Sequence, residues 1–398
     1  MTHALPSPVT LPLERQNPFD PPSELRRWSH EGPLRPMLYA DGHVGWLVTG
    51  YSAVRSVLGD ARFSADPDLV HPQIGRRSIQ RFLGKLPGLF LNQDPPEHTR
   101  LRRMVAGHFG LRNMKRLEPT VTRFTSGLLD GMEQGGPSAD LVSAFAFPLP
   151  SMVICELLGV PYSAHDQFQR QSSEMLSLES RLPQVRGAIE GMALYIHDLV
   201  DRKRAEPGDD LISDLVSTGE LTKDEITGVA MLLLVSGHET TANMIALGTF
   251  TLLENPVQLA VLRDDPALTG LAVEELLRYL SIIHMGLVRA ASEDVEVEGY
   301  MIKAGESVTV SLATANRDPR QFAEPDRLDI TRPATGHLAF GHGIHQCVGQ
   351  QLARMEMRIA YPALLNRFPK LRLAVTPEQV ATRSDMAIYG VHRLPVAW

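Results

Sequence analysis

The run from Leu221 to Asn255 constrains this chain more than any other part of it. Thr222-Lys223-Asp224-Glu225 carries the side-chain pattern of a capping box, and Pro256 cannot continue a helix, so both ends are marked. About 32 residues at roughly 1.5 Å each give a rod near 48 Å, long enough to cross a whole domain. Its middle, Val229-Ala230-Met231-Leu232-Leu233-Leu234-Val235, is apolar on every side, which places the helix inside a core. Polarity then returns abruptly in Ser236-Gly237-His238-Glu239-Thr240-Thr241. An ionisable glutamate in the centre of a buried helix is costly unless it is paired or used. The segment is therefore either a satisfied polar break with a helix-packing glycine or a reacting site. A metalloprotease reading fails, because the second histidine of His-Glu-x-x-His is Ala242.

Helical patterns fill most of the remaining chain: Pro95–His108, Met114–Glu133, Pro150–Leu158, Val185–Arg204 and Val257–Arg263. Short β-like runs stand at His43–Val48, Val295–Val297 and Ser307–Val310. Strands scattered at the two ends of a helical mass predict a mainly α protein with a minor β region. Residues 1–35 read as an irregular, proline-rich lead-in, and no repeat or long linker divides the 398 residues. A formal charge of -7 argues against a general nucleic-acid binder. Two cysteines exclude a disulfide framework and fit a reducing cytoplasm. No apolar stretch approaches the roughly 20 residues that span a bilayer, and Met1–Pro22 lacks the apolar core of a signal peptide. A soluble cytoplasmic protein is expected.

Phe340-Gly341-His342-Gly343-Ile344-His345-Gln346-Cys347-Val348-Gly349 puts a cysteine in a glycine-rich loop ahead of a helix-like run, Gln350 to Leu365. A thiolate there gains from the positive end of that helix. Gly341 and Gly343 allow a tight turn, and Gly349 lets a flat group lie against the helix start. A buried, charged sulfur under a flat cofactor is what thiolate-ligated haem iron requires. Two other readings stand beside it. His342, His345 and Cys347 could be zinc ligands, although a structural zinc site needs four, usually with paired cysteines. The loop could also be purely structural. Cys155, in the apolar run Met152–Leu158, reads as a buried small hydrophobe.

The loop resembles the haem-binding signature of the cytochrome P-450 superfamily, Phe-Gly-x-Gly-x-His-x-Cys-x-Gly, at every specified position. The resemblance extends over roughly residues 15–398 and implies that family's fold, a triangular helical prism around a long central helix. It implies haem b as cofactor, with Cys347 as iron ligand and Phe340, Gly341 and Gly349 against the haem. His98, Arg102, Arg289 and His345 match the positions that bind the haem propionates. Ser236–Thr240 is similar to the family's oxygen-activation motif, in which Glu239 and Thr240 deliver protons; the usual small residue is here Ser236. Glu275 and Arg278 look like the family's Glu-x-x-Arg pair, with Arg327 matching its third, structural member.

By the same resemblance the substrate pocket is lined by Leu89, Phe90, Leu232, Val235, Ser236, Met285, Leu287, Val288 and Ile388, and Phe168–Pro183 looks like a mobile lid. The implied activity is insertion of one atom of dioxygen into an apolar substrate, a secondary metabolite or a xenobiotic. Electrons would come from NAD(P)H through a ferredoxin reductase and a ferredoxin, to a monomer. A peroxide-driven peroxygenase and a haem sensor without turnover are the alternatives. Neither needs the acid–alcohol pair at Glu239 and Thr240. Arg100, Arg102, Arg103, Arg354 and Arg358 form a local cationic excess that would steer an acidic ferredoxin, unless they pair with Glu356 or with surface carboxylates.

Overall fold

The computed structural model describes residues 6–75, 77–84 and 86–398. It is a predominantly helical protein with minor sheets. The central rod is the 31-residue helix Lys223–Leu253. Its capping box is closed in both directions: Glu225 N–H donates to Thr222 Oγ1 at 3.2 Å, and Thr222 N–H to Glu225 Oε2 at 2.7 Å. Helices Pro148–Leu158, Leu182–Ala205 and Gln350–Arg367 pack around it. Gly237 is where Pro148–Leu158 crosses, because an added Cβ would lie 2.8 Å from Ile154. Further along, Gly248 leaves room for Tyr361, whose hydroxyl donates to the Met244 carbonyl at 2.7 Å.

The largest sheet has five strands in the order Leu34–Leu38, Val44–Val48, Ser307–Val310, Leu287–Ala291 and Phe63–Ser64. Only the Val44–Val48 and Ser307–Val310 pairing is parallel. Val295–Val297 and Tyr300–Ile302 form a separate antiparallel pair. A third sheet joins Ser138–Asp140, Pro395–Ala397 and Arg372–Leu373.

One expectation needs correction, and one strand was not anticipated. Residues 1–35 are not irregular throughout: Ser23–Glu31 is a helix that buries Leu25, and Leu34 opens a strand. Pro21 and Pro22, which mask the helix in the sequence, precede its first turn, where a missing N–H costs nothing. Leu287–Ala291 is a strand with no exposed position, so its sequence lacks the polar/apolar alternation of a half-solvated strand. Phe168, in the stretch resembling a lid, belongs to helix His165–Leu176 and is buried against Tyr195, with ring centroids 5.0 Å apart. Among the described residues no single helix is long and apolar enough to cross a membrane.

Candidate active site

The cysteine loop is held by its own backbone. Gly341 and Gly343 both have φ of 72°, and a Cβ on Gly343 would lie 2.1 Å from the Leu58 carbonyl oxygen, so that position admits only glycine. Cys347 N–H donates to the Phe340 carbonyl at 2.9 Å. Cys347 combines accessible surface with deep placement, so its side chain faces an interior space rather than bulk water. Burial pushes its thiol up, while the Gly349 N–H, Arg102 and Arg354 act in the opposite direction. An added Cβ on Gly349 would meet only Phe109, at 3.8 Å, which leaves that helix start open. No group of three His, Cys, Asp or Glu side chains among the described residues is arranged to hold a metal, so the zinc reading of His342, His345 and Cys347 fails. Cys155 is buried, and its thiol is pushed up to about 12 by burial.

Beside the loop the structure gathers His98, Arg102, Arg289 and His345. His98 is 2% exposed, yet neither of its ring nitrogens has a hydrogen-bond partner. Its ring lies 4.2 Å from that of His345. Burial, then Arg289, His98 and Arg102, push His345 down to about 3. Arg289 is buried and held down to about 10 by burial, against the pull of Asp94. Arg102 Nη2 donates to the Gln346 carbonyl. Asp94 is already committed to Ser64 and to the Ala65 N–H. Among the described residues, two guanidinium groups and an unpartnered donor ring thus converge with Asp94 as the carboxylate acting on them, an excess of donors that suits an anionic ligand.

The long helix carries the other candidate residues. In the middle of that helix Ser236 is exposed and Leu232, Gly237 and Thr240 are half-buried, while Val235 is just buried. Ser236 Oγ donates to the Leu232 carbonyl at 2.6 Å, and Thr240 Oγ1 to the Ser236 carbonyl at 2.8 Å. Such side-chain bonds back into the preceding turn loosen a helix locally. Glu239 points elsewhere. It is 1% exposed, and its Oε2 accepts from Arg383 Nη2 at 3.1 Å and from Asn243 Nδ2 at 3.4 Å. A cavity of about 310 Å³ is lined by Glu239, Arg383, Phe147, Asp166, Arg170 and His392. Sequence reasoning missed Arg383, which has no helical register with Glu239 to betray it.

Of the expected pocket residues, Leu89 and Phe90 are buried, and the Phe90 ring is 6.3 Å from that of His98. Leu287 Cδ1 would lie 3.9 Å from a Cβ on Gly341, so it borders the cysteine loop. The Met285 carbonyl accepts from Gln73 Nε2 at 2.7 Å, a polar neighbour the sequence did not suggest. Ile388 bridges Ile283. Val288 is a correction. It alternates with Leu287 and Arg289 on their strand and packs on the opposite face, against the cluster of Leu25, Met37, Tyr39 and Leu47.

Glu275 and Arg278 are fully buried and joined by two bonds, Nε–Oε2 at 2.7 Å and Nη2–Oε1 at 2.8 Å. Their third member is Arg332, not Arg327: Arg332 Nε reaches Glu275 Oε1 at 3.2 Å. Arg327 turns only its carbonyl inward, towards Arg278 and Arg332. Its side chain is 62% exposed beside Glu324. The cationic excess is also smaller than expected. Arg100 pairs with Glu97 and Glu225, while Arg354 and Arg358 both bond Glu274. Arg103, 73% exposed and 3.9 Å from Glu220, stays open to solvent. Glu356 is buried, and burial raises its carboxyl well above the ordinary range.

A deep-set cysteine, a nest of cationic donors beside it and a polar break in the long helix point to one class, a haem-thiolate protein. The family model "Cytochrome P450" matches residues 262–387. Cytochrome P450 105C1 of a Streptomyces species is 49% identical, with all of both chains covered. Pentalenic acid synthase of Streptomyces avermitilis is 46% identical over 98% of each. The crystal structure of CYP105P1 in complex with filipin I superimposes with a TM-score of 0.92 at 42% identity, covering 98% of this chain and 99% of that one. The chain belongs to the cytochrome P450 family, in its bacterial, actinomycete-type branch. It is accordingly an oxidoreductase of the monooxygenase type with haem as cofactor.

Proposed function

We propose that Cys347 is the iron ligand, that His98, Arg102, Arg289 and His345 hold the haem propionates, and that the protein oxygenates an apolar organic molecule in the space beneath Ser236. The observation that carries this reading is the unpartnered, buried His98 ring among three further donors beside an inward-facing thiol. The haem, when bound, supplies the electron chemistry that divides dioxygen between product and water. The chain's residues do the rest. Cys347 donates charge to the iron, helped by the start of helix Gln350–Arg367. Thr240 Oγ1, whose bond to the Ser236 carbonyl is local and exchangeable, would supply the hydroxyl that hands a proton to the reacting centre. Glu239, which lines the cavity it shares with Arg383, would be the acid that resupplies Thr240 with protons. The side chains of Leu89, Phe90, Leu232, Val235, Leu287 and Ile388 would offer apolar contact, with Ser236 and the Met285 carbonyl as polar fixtures.

The substrate class we infer is the small organic molecules of secondary metabolism, in keeping with the names pentalenic acid synthase and CYP105P1 with filipin I among the similar proteins. Two unpaired cysteines fit a reducing cytoplasm, where a ferredoxin and its NAD(P)H-dependent reductase would supply electrons. Arg103 and the outer half of Arg358 are the cations left to meet an acidic partner. The test is to screen such molecules for a low-spin to high-spin shift of the ferric protein, then to run turnover of the hit under labelled dioxygen. One labelled oxygen in the product, dependent on reductase and ferredoxin, is expected. Equal turnover on hydrogen peroxide alone would overturn the reading in favour of a peroxygenase.

A further inference from the structure

Glu274 neighbours the buried Glu275 but faces another way. Its side chain, 10% exposed, accepts from Arg354 twice (Nε at 2.8 Å, Nη2 at 3.0 Å), from His337 Nε2 at 3.1 Å and from Arg358 Nη2 at 3.3 Å. The guanidinium so held lies over the Phe340 ring, 4.5 Å from its centroid, within the range of a cation–π contact. Gln350 Oε1 steadies it from the other side at 2.9 Å. The His337 ring stands 5.9 Å from the same Phe340. Phe340 in turn gives its carbonyl to the Cys347 N–H. One carboxylate therefore pins a cation on the aromatic ring whose backbone anchors the cysteine. The same cation acts on the sulfur itself, opposing the effect of burial.

We propose that Glu274 is a positioning residue for the haem-thiolate centre: it holds Arg354 on Phe340, and the balance of these two charges sets how readily the iron is reduced. This rests on Cys347 being the ligand. Reduction adds an electron, so positive charge nearby favours it and negative charge opposes it. Glu274→Gln removes a negative charge while both arginines remain, and should ease reduction. Arg354→Met removes a positive charge, keeps the bulk on Phe340, and should hinder reduction. General damage to the loop would move both variants the same way.

The experiment is an optical redox titration of the purified holoproteins: wild type, Glu274→Gln, Glu274→Asp and Arg354→Met. Each is checked first for the red-shifted Soret band of the reduced carbon monoxide adduct. At a fixed applied potential the ferrous-to-ferric ratio should rise roughly threefold or more in Glu274→Gln and fall by a similar factor in Arg354→Met. Glu274→Asp, which keeps the charge, should stay near wild type. Unmoved ratios, or shifts of both variants in one direction, overturn the proposal. If Glu274→Gln fails to take up haem, Arg354→Met and Glu274→Asp decide by the same signs. A wild type without the red-shifted band would sink the assignment of Cys347 first and this inference with it. An intact band with unmoved ratios sinks only the role of Glu274.

Discussion

Arg383 Nη2 donates to Glu239 Oε2 at 3.1 Å, tying the C-terminal segment to the middle of the long helix. Both side chains are nearly sealed from water. A buried pair stabilises little compared with an apolar pair of the same shape, but breaking it leaves one charge uncompensated. Arg383→Met should therefore cost about 3–5 kcal/mol, seen as an earlier loss of the Soret band on heating. Adding Glu239→Gln to that variant should restore most of the loss. No change on the first substitution would mean that Glu239 does not depend on Arg383.

Thr240→Ala should retain substrate affinity and NAD(P)H consumption while electrons leak to hydrogen peroxide. Losing an interaction made only during the reaction lowers turnover without weakening ground-state binding. Thr241 lies about 100° round the helix and is buried, unlike the half-buried Thr240, so Thr241→Ala should keep its coupling. The ratio of product to NAD(P)H consumed checks both.

Arg332→Ala should destabilise the protein by about 2–3 kcal/mol, since its donor to the buried Glu275 is charge-assisted. Arg327→Ala should fall within about 0.5 kcal/mol of wild type, as expected for an exposed side chain. Thermal loss of the Soret band ranks the two. The reverse order would restore Arg327 as the third member of the cluster.

Glu274 makes stability depend on acid. Burial alone would raise its carboxyl, but the bonds from His337 and Arg354 outweigh burial and hold it near 2 against an ordinary 4.5. A depressed pKa gives stability that is complete above the unfolded value and is lost as the pH falls from 4.5 towards 2. Glu274→Gln should thus be less stable than wild type at neutral pH, by about 3 kcal/mol as an order of magnitude. That gap should close steadily below pH 4.5. A gap unchanged between pH 7 and pH 3 would contradict the assignment.

What was legible followed from local rules. The capping box at Thr222 and the stop at Pro256 mark the long helix in the sequence, and the helix begins at Lys223 and ends at Leu253. The strands Val44–Val48, Val295–Val297 and Ser307–Val310 were equally visible from their β-branched runs. What was hidden depends on the chain's return in space. Arg383 meets Glu239 across 144 residues. Arg332 comes back to Glu275 after a turn that points Arg327 outward. Arg354 looked like a free surface cation until Glu274, 80 residues earlier, was found beside it. Strand Leu287–Ala291 shows no polar/apolar alternation because none of its positions is exposed, and that same strand sends Val288 away from the pocket.

The central claim is that the Cys347 sulfur binds the iron, and the reduced carbon monoxide adduct reads the iron's ligand directly. Wild type and Cys155→Ser should both show the strongly red-shifted Soret band that a thiolate ligand produces. Cys347→Ser should fold and lose that band. A red-shifted band that survives in Cys347→Ser, or disappears in Cys155→Ser, would contradict the account.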